Sequence, residues 1–202
     1  MRIRIDLKIF IFLIILYFTN QIRPYLIIMF FCIIHEIGHI LIGLILKMKP
    51  EKIEIMPFGL SASFYANYEK QDYKIKEIFV ALAGPLTSLA LIFLSQYVKL
   101  PYITIEEAGY ANLLILIFNM LPIYPLDGGR IIRGILHIKF GSIKSYTLTD
   151  KISYITMIVL TVVSSICVYY YKNIAIFLIC IFLWWIALQE KNNKTLAILR
   201  GK

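Results

Sequence analysis

Residues 24–46 read PYLIIMFFCIIHEIGHILIGLIL, a run of 23 residues in which His35, Glu36 and His39 are the only side chains that ionise near neutral pH. A stretch this long and apolar reads as a helix that crosses a membrane, since about 20 residues at about 1.5 Å each span the hydrocarbon core. On that helix His35 and His39 are four apart and share a face, with Glu36 alongside. Two ring nitrogens can therefore reach one metal ion while a carboxylate reaches the water beside it. Ionisable groups at this depth cost about 2.5–3.5 kcal/mol each on insertion scales, which makes a merely structural histidine pair the poorer reading.

The surrounding composition agrees. Of 202 residues 60% are hydrophobic and 16% charged, outside the range of soluble domains. Apolar stretches recur at about 9–22, 24–46, 77–98, 109–123, 152–171 and 173–189, which predicts an all-α polytopic membrane protein with about six transmembrane helices. The chain reads as a single membrane-embedded domain over 1–202, with no internal repeat and no long polar segment. Basic residues cluster before the first span, in the loop after the second, in the connection after the fourth and after the last. Of 21 Lys and Arg only Arg23, Lys99 and Lys172 fall on the other side. Both termini are thus expected in the cytoplasm, and the formal charge of +9 is accounted for by topology and anionic lipid, without nucleic acid. The N-terminal apolar stretch lacks a small-residue cleavage site and reads as a retained helix. Cys32, Cys167 and Cys180 lie in apolar spans and read as small buried hydrophobes.

Two segments depart from the helical pattern. Between spans two and three, Ile53, Ile55, Phe58, Leu60 and Ala62 partly alternate with polar or small residues around Pro57 and Gly59, which suggests a short strand-like hairpin; an amphipathic loop at the headgroups is the other reading. In the fourth stretch, Asn119-Met120-Leu121-Pro122-Ile123-Tyr124-Pro125-Leu126-Asp127-Gly128-Gly129-Arg130 breaks the helix with two prolines and two glycines. Broken backbone at membrane depth is tolerated where protein or a watered cavity surrounds it. Asp127 is then the candidate third ligand, at the same depth as His35 and His39 because spans two and four run in the same direction; helix N-cap is its alternative role. Ala83-Gly84-Pro85 in span three reads as a kink with close packing against the metal helix. His137 lies in a basic connection and reads as interfacial. Trp184, Trp185 and Tyr169–Tyr171 read as interfacial anchors.

His35-Glu36-x-x-His39 together with Leu126-Asp127-Gly128 resembles the site-2 proteases, peptidase family M50, which are intramembrane zinc metalloproteases. Met56-Pro57-Phe58-Gly59, Ala83-Gly84-Pro85-Leu86 and Asn119 through Gly129 resemble its stage IV sporulation FB branch. The resemblance implies one zinc ion per chain on His35, His39 and Asp127, Glu36 as catalytic base, and Asn119, Pro122, Pro125 and Gly128 shaping the site; Pro57, Gly59 and Gly84 stand in the other matching motifs. It also implies a membrane-associated substrate, the precursor of the mother-cell sporulation sigma factor, and inhibitory membrane partner proteins. Location would be the bacterial cell membrane or the outer forespore membrane. A nucleotide-sensing CBS domain, carried by better-known members after the sixth span, has no counterpart up to Lys202, so nucleotide regulation through one is not expected. Two other readings stay open: a site-2 protease acting on an anti-sigma factor or signal-peptide remnant, and a zinc transporter or zinc-binding scaffold. Against the last stands Glu36, since an ion site needs no base beside its ligands.

Overall fold

The computed structural model describes residues 2–5, 22–56, 59–64, 71–98, 100–171, 177, 180–181 and 183–188. The chain forms two compact units, Met1–Met120 and Leu121–Lys202. The first holds β1 (Arg2–Ile5), α1 (Ile22–Ile45), β2 (Pro50–Met56), β3 (Gly59–Phe64), α2 (Gln71–Leu94) and α3 (Ile105–Asn119). The second holds α4 (Asp127–Tyr171), which bends at Gly141, whose φ of 78° ends one helical arm and lets the next begin.

Among the described residues three helices are long and apolar enough to cross a membrane: Ile22–Ile45, Asp72–Leu94 and Asp127–Tyr170. They carry the second, third and fifth of the six expected crossings; the fourth corresponds to α3, which at 15 residues is shorter than a full span. It occupies 105–119 and not the expected 109–123. Thr104 caps its start: the Thr104 hydroxyl accepts from the Glu107 N–H at 3.1 Å, and the Glu107 carboxylate accepts from the Thr104 N–H at 2.9 Å. The expected first span lies almost wholly outside the described residues, and the sixth is described, as helix, only at 177, 180–181 and 183–188.

The helices invert the pattern of a soluble bundle. On α1 the buried stripe is Ile27, Phe31, His35, Glu36, Gly38, His39 and Gly43, whereas Leu26, Phe30, Ile37, Leu41 and Leu44 are exposed. Small and polar residues turn inward and large apolar ones outward, as expected where lipid is the solvent. α1 packs on α2 through small residues: a Cβ on Gly38 would strike Thr87, so any larger residue forces the helices apart. On its other half α1 packs against α3, with Ile27 and Phe31 enclosed by Ala108, Ala111 and Ile115.

β2 is the middle strand of a three-stranded sheet, parallel to β1 and antiparallel to β3. Parallel pairing brings Arg2–Ile5 alongside Lys52–Ile55. β3 is fixed to the helices by Phe64, which is buried with Met48 and Val80 and lies against Gly43, one turn beyond His39.

Candidate metal centre

His35 and His39 lie on successive turns of the buried face of α1, with Glu36 buried beside them. Their rings are oriented by α2. His35 Nδ1 is 2.8 Å from Ser88 Oγ, and His39 Nδ1 is 2.6 Å from the Val80 carbonyl oxygen. A carbonyl oxygen only accepts, so Nδ1 of His39 carries the hydrogen and Nε2 carries the lone pair, the tautomer that binds metal. The two Nε2 atoms face each other at 3.2 Å, with the ring planes at 79°. Two nitrogens on one tetrahedral zinc, each about 2.0–2.1 Å from it, stand about 3.3 Å apart. The pair fits a shared ion. A carboxylate oxygen of Glu36 is 4.0 Å from His39 Nε2, beyond hydrogen-bond range and close enough to share a water.

Gly84 explains how α2 comes this close. A Cβ there would fall on Nε2 of both histidines, so only glycine leaves the metal-facing edge of the rings open. Pro85 follows, buried inside α2; its ring cannot donate the helical hydrogen bond to the Ala81 carbonyl.

Asp127 belongs to the second unit. The Leu126 carbonyl accepts from the Arg130 N–H at 2.9 Å, so Leu126 holds the cap position and Asp127 is the first residue of α4. The N-cap role considered for Asp127 is therefore taken by its neighbour. Its carboxylate is buried, sits at the positive end of the helix dipole, and lies 3.8 Å from Arg130 Nη1. Gly128 and Gly129 are buried in the same turn. A Cβ on Gly129 would strike the backbone of Ile123 and Tyr124, so the glycine lets the helix fold back against the segment that precedes it.

His35 and His39 of the first unit and Asp127 of the second are each buried, and two imidazole nitrogens with one carboxylate are the donor types of a catalytic zinc with an open fourth position. Asn119 ends α3 half-buried, its Nδ2 donating to the Ile115 carbonyl at 3.1 Å. Pro122 and Pro125 are half-buried in the turn before α4. Gly59 opens β3, and Pro57 lies outside the described residues. Ser88 and the Val80 carbonyl, which orient the rings, carry no motif signal; Ser88 stands one turn after Gly84, and that spacing is the one trace a sequence holds.

The model of peptidase family M50 matches residues 103–163, which include Asp127 and the segment before it. A site-2 protease from Methanocaldococcus jannaschii superposes with a TM-score of 0.69 at 27% identity, covering 93% of this chain and 89% of that one. The chain is thus similar to peptidase family M50 over residues 103–163 and to a site-2 protease in fold. It is 28% identical over 167 residues to a zinc metalloprotease of the same archaeon, covering 79% of this chain and 47% of that protein. It is 31% identical over 119 residues to stage IV sporulation protein FB of Bacillus subtilis, covering 56% of this chain and 40% of that protein. The chain thus spans less than half the length of either curated relative.

Proposed function

We propose that this chain is an intramembrane zinc metalloprotease of the site-2 type, with zinc on His35, His39 and Asp127 and Glu36 as general base. The observation that carries the reading is the histidine pair, with Nδ1 atoms engaged by α2 and Nε2 atoms aimed at one point 3.2 Å across. Zinc, when bound, supplies Lewis acidity toward water and the scissile carbonyl. Glu36 takes the proton of the attacking water and returns it to the leaving amine, and its burial keeps that proton from bulk solvent. Val80 and Ser88 hold the histidine rings still during the transfer.

Substrate must be extended, because a helix hides its peptide bonds. β2, with Ile53 and Ile55, has neighbours on both sides, so within residues 51–64 the edge open to strand addition among the described residues is that of β3. The chain is a multi-pass membrane protein. Pairing of β1 with β2 supports residues 2–5 lying on the same face of the bilayer as the loop after α1, which the basic residues assign to the cytoplasm.

The finer reading is that the substrate is the membrane-associated precursor of the mother-cell sporulation sigma factor, under the control of inhibitory membrane partners. The motif residues shared with the sporulation branch and the identity to stage IV sporulation protein FB support it. Co-expression with such a precursor, scored by its size shift on a blot, tests it. Processing by the wild-type chain and none by Glu36→Gln is the expected result. An intact precursor beside an inserted, zinc-loaded wild-type chain would remove the sporulation substrate in favour of an anti-sigma factor or signal-peptide remnant.

A further inference from the structure

The broken segment ahead of Asp127 is held by groups that no motif includes. The Tyr124 backbone N–H donates to the hydroxyl of Ser153 at 3.0 Å, a bond that reaches across 29 residues to the second arm of α4. The Arg133 guanidinium lies over the Tyr124 ring, 4.4 Å from its centre, and over the Tyr146 ring at 3.8 Å. A planar cation stacked on two aromatic rings ties them together, and Arg supplies such stacking where Lys does not. Gly129 completes the arrangement by admitting the Ile123–Tyr124 backbone against the first turn of the helix. Tyr124 is thus fixed through its backbone, its ring and its closest main-chain neighbour, and it stands three residues before Asp127.

We propose that Ser153, Arg133 and Tyr146 are positioning residues for Asp127, acting on it through Tyr124. The physical need is plain. Pro122 and Pro125 lack the N–H groups that would tie this stretch into a helix, so its path must be set from outside. A metal ligand displaced by a few tenths of an ångström loses affinity, and groups that orient ligands carry about 10–100-fold in binding. Ser153 is buried at 5% exposure on a face that also buries Ser145, Thr149 and Met157. The Ser145 and Thr149 hydroxyls are spent on their own helix, donating to the carbonyls of Ser142 and Ser145 at 2.7 Å. Ser153 instead receives a bond from the segment ahead of α4. This inference rests on the reading of Asp127 as a zinc ligand.

The test uses the full chain in detergent or nanodiscs, loaded with Co2+ as a spectroscopic probe and titrated with Zn2+ against a chelator. Ser153→Ala and Arg133→Lys should each weaken zinc binding roughly 10-fold and alter the cobalt ligand-field bands, and Ser153→Thr, which keeps the hydroxyl, should restore both. Ser164→Ala provides the folding control. Ser164 is fully buried on the same arm, with its hydroxyl donating to the Thr161 carbonyl at 2.8 Å, and its loss should leave zinc affinity and spectrum unchanged. Unchanged affinity and bands in both Ser153→Ala and Arg133→Lys would overturn the proposal, as would an equal loss in Ser164→Ala, which would mark a general packing effect. Asp127→Ala separates the two readings. If it binds zinc as wild type does, the ligand assignment fails; if it loses zinc while Ser153→Ala does not, only the positioning role fails.

Discussion

A single carbon at Gly84 is enough to test the geometry of the histidine pair. Because a Cβ there would occupy the space of both Nε2 atoms, Gly84→Ala is expected to lower zinc affinity by roughly 100-fold, measured by chelator competition, with helix content by circular dichroism unchanged. Ser88→Ala removes one orienting contact and should cost roughly 10-fold in the same titration. Glu36→Gln should retain zinc and lose about 10²–10⁴-fold in cleavage rate, since the amide keeps the shape and cannot take the proton. His35, Glu36 and His39 were legible in the sequence because their spacing is a local property of the helix that carries them. Ser88 and Val80 were not, since they meet the histidines from 53 and 41 residues away and no local pattern encodes that meeting. Asp127 was legible as a polar residue in a helix-breaking run, but its place at the first residue of α4 depends on Leu126 taking the cap.

At the scale of the elements, α3 shows how a short helix is started. Thr104 and Glu107 satisfy each other's backbone, and Arg23 from the start of α1 lies 3.0 Å from the Glu107 carboxylate. The Thr104 N–H bonded to that carboxylate, then the Thr104 hydroxyl and Arg23, hold Glu107 below its ordinary value of 4.5 despite the opposing effect of desolvation. A lowered carboxyl value means the ionised form favours the fold. The contribution is complete above pH 4.5 and is lost as pH falls through the lowered value. Thr104→Ala should cost about 1 kcal/mol of thermal stability and flatten the acid limb of the melting curve, while Glu107→Gln should remove that limb's dependence on this group. The sheet was only partly readable. The alternation at 51–64 signals extended chain, whereas Arg2–Ile5 looks like a basic leader, and its parallel pairing with β2 is a long-range event without a turn to announce it. The end of α3 at Asn119 likewise follows from the prolines beyond it, which hydrophobicity alone overlooks.

Across the whole molecule the decisive pattern is where large apolar side chains go. Leu26 and Phe30 on α1, Phe79 and Phe93 on α2, and Ile155 and Val162 on α4 are all exposed, while His35, Glu36, His39, Ser88, Asn112 and Asp127 are buried. Such a surface suits a lipid surround. The protein should therefore remain in the membrane pellet after a carbonate wash and appear in solution only with detergent; release by carbonate would contradict the membrane reading. This much of the fold was visible in composition, because an apolar run of more than 20 residues admits few other interpretations. The measurement that bears most directly on the central claim is the zinc content of the purified chain by elemental mass spectrometry, compared with His39→Ala, Asp127→Ala and Glu36→Gln. Wild type and Glu36→Gln should each hold about one zinc per chain, and the other two little. Full zinc occupancy in either His39→Ala or Asp127→Ala would contradict that claim.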